Sequence, residues 1–466
     1  MTRKCETCSG SSGSFPLLAE GFSRRRFLQI AGTGVVASWF ADVLNPNLLA
    51  ATTGVAPFLQ NSARNCILVF LAGAPSQVDT WDLKEGSWTP SAFEPTPYGE
   101  IRFPRGLLPE TADHLDKLAF VRAGLAWAAV HSLAQTWAQI SRNPTGALGR
   151  ISPHIGAVVA LEMQQRRAES DVLPGFISLN SGNIVGSGYL SARYAPFKVT
   201  PSDEGLVALT HPDGAGRLAS RWNLLGKLDV DRSSGALGKT AVDMSDFYDQ
   251  AKTLVDSPEI AGLFSFTAEE SERYGGSPFG NSMILAKQLI GANRGARVIQ
   301  VNMGGWDHHN NIYGAAGQSL LSQGAQFDPA FGSLLTDLAA TPGVESGKAL
   351  LDETLVVVLA EFGRTVGALN NQGGRDHLLR MSHVFAGGGV RGGRALGKTN
   401  SLGDQVLEYG WRGNRDVRPE DVTATIYSAL GIDYTITRND DPLGRGFEYV
   451  PYANQGLYEP VSDLFV

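Results

Sequence analysis

The chain has 466 residues, 43% hydrophobic and 18% charged, with 55 glycines; this balance belongs to a globular chain and excludes a disordered, collagenous or coiled-coil one. With 39 basic against 46 acidic side chains the net charge is −7, so the sustained positive surface that phosphate backbones demand is missing and no nucleic-acid partner is expected. Three cysteines, Cys5, Cys8 and Cys66, are too few for a disulfide framework.

The first readable element is a leader. Residues 23–29 run Ser-Arg-Arg-Arg-Phe-Leu-Gln, followed by a weakly apolar stretch from Ile30 to Phe40 and small residues around Ala50, Ala51 and Ala56. This is the layout of a twin-arginine (Tat) signal. The apolar stretch falls short of the ~20 residues a spanning helix needs, so no permanent membrane span is expected. Residues 1–50 are therefore read as a twin-arginine signal peptide and 51–466 as the mature domain, with the Tat export machinery as partner and a periplasmic or extracellular destination. The Cys5–Cys8 pair falls in the leader, which leaves Cys66 as a lone thiol. Removing the leader takes five basic and three acidic residues away and leaves a charge of about −9, which favours solubility over adhesion to an anionic membrane.

Cys66-Ile-Leu-Val-Phe-Leu-Ala72 is a continuous apolar run ending in Gly73-Ala74-Pro75, the pattern of a strand buried on both faces of a parallel sheet. Similar runs recur at Leu118–Val121, Phe176–Leu179, Val298–Val301, Leu355–Leu359 and His383–Ala386, with helix-like stretches at Ser282–Ala292 and Phe331–Ala340. The fold class is α/β, an α/β/α sandwich around one central, mostly parallel sheet. Residues near 180–280 are richer in Gly, Ser, Asp and Pro and read as a loop-rich insertion with a few helices. No internal repeat is visible.

In such a sheet the loops leaving the carboxyl ends of the strands gather at one edge, where ligands bind. They carry Ser76, Asp79 and Asp82 after the first strand, then His131 and Ser132 after the second. Trp306-Asp307-His308-His309-Asn310-Asn311 follows the Val298 strand; Glu361 and Arg364 follow the Leu355 strand; Gly373-Gly374-Arg375-Asp376-His377 precedes the His383 strand. Clustered Asp and His form the donor set of a divalent cation, because neutral imidazole and carboxylate oxygen suit a borderline or hard ion. Two further groups have plainer readings. Ala386-Gly387-Gly388-Gly389 lacks the Lys-Ser/Thr of a phosphate loop and reads as a tight turn. Trp127, Trp137 and Trp306 offer a sugar-stacking platform or core packing, and Trp137 is expected in the core.

Four segments, Leu71-Ala-Gly-Ala-Pro-Ser-Gln-Val-Asp-Thr-Trp-Asp82, Gly304-Gly-Trp-Asp-His-His-Asn-Asn311, Ala360-Glu-Phe-Gly-Arg-Thr365 and Gly373-Gly-Arg-Asp-His377, together resemble the Tat-exported "domain of unknown function 1501" family. That family looks like a branch of the alkaline phosphatase and sulfatase superfamily. Gly186–Ser191, Ala195–Phe197, Ala386–Gly393 and Arg418–Tyr427 extend the likeness over most of the mature chain.

The resemblance implies an alkaline phosphatase-like α/β/α sandwich and a metal-dependent hydrolase of phosphate or sulfate esters, acting on an anionic small molecule or glycan. It implies Ser132 as nucleophile, preceded by His131. Asp307, His309 and His377 would hold one metal, with Asp376 among the acidic donors and His308 as an alternative to His309. Asp79 and Glu361 would be the remnant of a second site. The chain departs from the pattern at Glu361-Phe362, where the superfamily has Asp-His. One imidazole is thereby lost, so one divalent ion (Zn, Mn, Mg or Ca) is expected rather than two, with Arg364 as a substitute positive charge facing the anionic group. The same departure motivates the alternative of a non-catalytic member that binds an anionic glycan or a protein partner.

Overall fold

The computed structural model describes residues 57, 59–202, 213–228, 238–255, 258–315 and 317–465. The signal peptide read at 1–50 lies outside the described residues, as do parts of the 180–280 insertion.

Strand β1 (Asn65–Leu71) is buried along its whole length. Ile67, Val69 and Leu71 point into one apolar cluster, while Cys66, Leu68 and Phe70 point into another. That alternation between two cores is what an unbroken apolar run produces at the centre of a sheet covered on both sides. Seven more strands join it: β2 (Leu118–Leu125), β3 (Phe176–Leu179), β4 (Phe197–Val199), β5 (Val298–Met303), β6 (Thr354–Leu359), β7 (Arg380–Ala386) and β8 (Arg394–Leu396). Their spatial order is β8-β2-β7-β6-β1-β5-β3-β4. Cys66 pairs with Val298 on one side and Leu355 on the other, both in parallel register. Only β7 runs against its neighbours β2 and β6. Each run read as a strand from the sequence is a strand; β4 and β8, three residues each at the two sheet edges, were not anticipated.

The helices described here are α1 (His131–Ile140), α2 (Ile155–Glu162), α3 (Ala215–Leu228), α4 (Lys239–Val255), α5 (Pro278–Gly291), α6 (Leu320–Ala340) and α7 (Pro419–Ala429). Met283 and Leu285 of α5 and Phe327, Phe331 and Leu334 of α6 pack on the Ile67 face of the sheet. Val158 and Val159 of α2 and Val422, Ile426 and Tyr427 of α7 cover the Cys66 face. The result is a three-layer α/β/α sandwich. Local sequence starts the helices where they begin. Ser277 accepts from the Gly280 amide at 3.0 Å with Pro278 opening α5, and Ser319 accepts from the Ser322 amide at 3.1 Å to open α6. Helices α3 and α4 fall in the stretch near 180–280. No helix among the described residues is long and apolar enough to cross a membrane.

Two glycine positions shape the loops. Gly387, Gly388 and Gly389 all have positive φ, and a Cβ on Gly387 would stand 2.3 Å from the Thr354 carbonyl oxygen; the segment is the tight turn the sequence implied. Gly73, just past β1, has φ +107°, and a Cβ there would lie 2.6 Å from the Asp307 amide nitrogen. The loops after β1 and β5 can touch only because Gly73 has no side chain.

Candidate metal centre

Five segments converge at the carboxyl edge of the sheet. The loop after β2 leads into α1, which His131 opens; Asp307 and His309 follow β5; Glu361 and Arg364 follow β6; His377 lies just ahead of β7. The β1 loop supplies the Gly73 backbone. Since β7 is antiparallel, its entry is at the same edge as the exits of β1, β2, β5 and β6, and this brings His377 into the group.

His131, Asp307, His309 and His377 each present a donor atom, and these atoms all lie within 4.8 Å of one another. His309 Nε2 is 2.9 Å from His377 Nε2 and 3.0 Å from Asp307 Oδ1. His131 Nε2 is 3.3 Å from Asp307 Oδ2, and His377 Nε2 is 3.7 Å from Asp307 Oδ1.

The opposite nitrogen of every ring has an acceptor behind it. His131 Nδ1 donates to Glu361 Oε1 at 2.8 Å, His309 Nδ1 to Asp376 Oδ1 at 2.8 Å, and His377 Nδ1 to the Ala129 carbonyl at 2.8 Å. A carbonyl or carboxylate can only accept, so each Nδ1 carries its proton and each Nε2 turns a lone pair inward. Two facing lone pairs at 2.9 Å repel unless a cation or a proton comes between them. Three such nitrogens and one carboxylate are the donor set of a tetrahedral transition-metal ion, and backing acceptors of this kind fix ligand tautomers in metal sites.

The electrostatics differ from ring to ring. Glu361 raises the His131 pKa above its ordinary value, with Asp307 adding to the effect against partial burial, so a proton competes with a cation for His131 Nε2. Burial and the nearby Arg364 push His377 down, so its ring stays neutral and able to coordinate. Burial opposes ionisation of Asp307, yet the Arg364 guanidinium at 2.5 Å holds it below the usual carboxylate range.

The other residues named from the sequence are placed as follows. His309, not His308, joins the cluster. His308 is 3% exposed, and burial pushes its pKa down to about 4. Asp376 stands behind His309. Glu361, expected as part of a second metal site, is buried behind His131, where it also accepts from the Gly73 amide at 2.8 Å and from Gln135 at 3.1 Å.

Asp79, expected beside Glu361, is elsewhere. It is fully buried, receives Arg375 Nε at 2.7 Å and Nη2 at 3.1 Å, and accepts from Tyr313 at 2.8 Å. Its oxygens serve the neighbouring Arg375, which the sequence reading passed over. Arg364, expected to face an anionic group, is 1% exposed and engaged on all three nitrogens. They donate to the carbonyls of Ala74, Arg375 and Gly73 and to Asp307. It ties the loops together and orients Asp307. Ser132 is exposed on the first turn of α1, next to His131.

An α/β/α sandwich carrying a three-histidine, one-aspartate cluster at the carboxyl edge of a mostly parallel sheet is the class of protein that fold and site define. The chain belongs to the family described as "Protein of unknown function (DUF1501)", whose model matches residues 63–450. No curated protein matches it. Among solved structures it is similar to a protein in the alkaline phosphatase superfamily from Vibrio parahaemolyticus (11% identity, 83% of this chain and 74% of that one, TM-score 0.36). It is also similar to the PsFucS1 sulfatase from Pseudoalteromonas sp. (12% identity, 84% and 72%, TM-score 0.39). A third is the C-terminal periplasmic domain of EcEptC from Escherichia coli in complex with Zn (10% identity, 86% and 99%, TM-score 0.37).

Proposed function

We propose that this protein is an exported, single-metal hydrolase of phosphate or sulfate esters. The observation that carries the reading is the convergence of three inward-facing Nε2 atoms and one carboxylate, each ring backed at Nδ1, at an edge open to solvent. The Asp307 side chain is 45% exposed there and that of His309 38%, as suits a centre that meets substrate rather than one sealed for structure. The nitrogen-rich donor set favours zinc over magnesium or calcium, which prefer oxygen ligands.

A divalent ion bound there would polarise an ester oxygen and favour an ionised nucleophile. The chain's own residues do the rest. Glu361, Asp376 and the Ala129 carbonyl hold the rings in register. Arg364 keeps Asp307 ionised. Ser132, on the amino-terminal turn of α1, is the nucleophile, where the helix end favours its alkoxide.

The test is hydrolysis of a panel of aryl and sugar phosphate and sulfate esters. Activity is expected to disappear with chelator and to fall at least ~1,000-fold in Ser132→Ala with thermal stability unchanged. Activity that survives both treatments contradicts the reading.

A second reading, a non-catalytic protein of the same fold binding an anionic glycan or protein partner, is favoured by Arg364. Every nitrogen of that guanidinium is committed inside the protein, so it offers no free donor to an ester anion. Inactivity of metal-loaded protein on the whole panel would support this second reading.

Export by the twin-arginine route is part of the proposal and rests on residues 23–29. Cells carrying Arg24→Lys with Arg25→Lys are expected to retain the precursor in the cytoplasm, because lysine lacks the planar guanidinium fork. Processed protein outside the cytoplasmic membrane would contradict it.

A further inference from the structure

We infer that a second cavity, joined to the metal centre by helix α1, binds one ring of an anionic glycan. His131 is the first residue of α1 and Trp137 its seventh, a rise of ~9 Å at 1.5 Å per residue. Trp137 lies in the wall of a cavity of about 450 Å³, together with Trp127, Arg142, Glu420, Glu448 and Tyr458. That volume is within the ~300–1,000 Å³ range of small-ligand sites.

The aromatic wall is rigidly built. The Trp127 and Trp137 rings stack at 5.8 Å and 23°, and both indole N–H groups donate to the Glu420 carboxylate at 2.9 Å. Glu420 is 3% exposed, so this clamp lies beneath the surface, while Trp127 itself stays 40% exposed. The sequence reading expected Trp137 in the core. It is only half-buried, stacked on Trp127 and lining the cavity. A large aromatic surface kept partly wet and pinned by a buried carboxylate is not core packing.

Arg142 supplies the second, independent observation. It is 7% exposed, its guanidinium lies 4.0 Å from the Phe447 ring centroid, and it donates to the Glu448 carbonyl. Its Nε is buried with no acceptor among the described residues, and no carboxylate forms an ion pair with it there. A buried cation with a carbonyl acceptor on one nitrogen and no counter-ion is costly, and an anion in the cavity lowers that cost. Glu420 accepts from the two indoles and Glu448 from the Tyr452 amide, while Arg445 adds a second positive group to the wall.

Arg418 lies 3.8 Å over the Trp127 ring and Trp137 stacks on it, so the apolar contact falls to the exposed indole edge and to Tyr452, which is 52% exposed in the same wall. Beside an under-satisfied guanidinium, these rings match a pyranose that carries a sulfate or carboxylate: the C–H groups pack on the aromatic edges and the acid group meets Arg142. That the ring belongs to the substrate rests on the hydrolase reading above; the binding itself does not.

The experiment is calorimetric titration of the purified protein with a sulfated galactan tetrasaccharide and with its desulfated counterpart. The sulfated probe is expected to bind saturably and at least ~10-fold more tightly than the desulfated one. Trp127→Ala, with its fold checked by circular dichroism because the ring also donates to Glu420, should weaken the sulfated probe by a similar factor. Arg142→Gln should erase the preference between the two probes; if it unfolds, the comparison of probes on wild-type protein carries the charge test. His377→Ala, which disrupts the metal centre, should leave most of the affinity in place. No saturable binding of the sulfated probe, equal affinity for both probes, or undiminished binding to Trp127→Ala would overturn the inference. Retained binding without ester hydrolysis would count against the hydrolase reading alone, and hydrolysis without binding against the glycan cavity alone.

Discussion

Glu361 Oε1 lies 2.8 Å from both His131 Nδ1 and the Gly73 amide nitrogen, so one buried carboxylate orients a ligand ring and fastens the β1 loop to the centre. Glu361, expected from the sequence as part of a second metal site, instead supports His131, the third nitrogen donor of the cluster.

Replacement of Glu361 by glutamine keeps the shape and weakens the acceptor behind His131. Loss of a supporting partner of this kind costs ~10- to 100-fold in metal affinity. Competition with a chromophoric chelator should show that loss in Glu361→Gln, with the circular dichroism spectrum unchanged. An affinity equal to wild type would show that the carboxylate does not tune the ligand.

Asp79→Asn separates a structural carboxylate from a coordinating one. Removing one partner of the buried Asp79–Arg375 pair leaves an uncompensated charge and should cost ~3–5 kcal/mol in denaturant unfolding. Metal stoichiometry should stay the same. Preserved stability with lost metal would reverse the assignment and return Asp79 to the ligand set.

Stability should fall with acid through a histidine that is not part of the cluster. His383 on β7 is 3% exposed and burial pushes its pKa down to about 4, below the ~6.5 of an unfolded chain. Between those values the unfolded state holds more protons than the folded one, so stability is complete above about 6.5 and declines as pH drops toward 4. The His383 contribution is on the order of 3 kcal/mol. Other histidines, His131 and His377 among them, shift on folding as well, so the measurement is the difference between wild type and His383→Leu in unfolding free energy at pH 7 and pH 5. A smaller pH dependence in the variant is expected; an identical one would contradict the assignment.

Much of the architecture was legible because the central strands are apolar on both faces and end in glycine-rich loops, and those loops had to meet at one edge. The ligand types were legible for the same reason. The edge strands were not, since Phe-Lys-Val and Arg-Ala-Leu are three-residue segments without a periodic signal. Which carboxylate coordinates and which supports was also hidden. Asp79 and Arg375 are 296 positions apart, and no local pattern announces that one will neutralise the other. The same holds for Arg364, whose residue type fits an anion-binding role and whose burial assigns it to Asp307. Trp137 was expected in the core because an aromatic residue on a helix usually faces it, and the buried Glu420 carboxylate that holds its indole N–H lies 283 positions away.

Whether a single metal is held by His131, Asp307, His309 and His377 is decided by elemental analysis of protein purified from its export compartment. One divalent ion per chain is predicted, with zinc favoured by the donor set, and its loss is predicted in His377→Ala. Protein that contains no divalent metal, and takes up none of zinc, manganese, magnesium or calcium on reconstitution, would contradict the account.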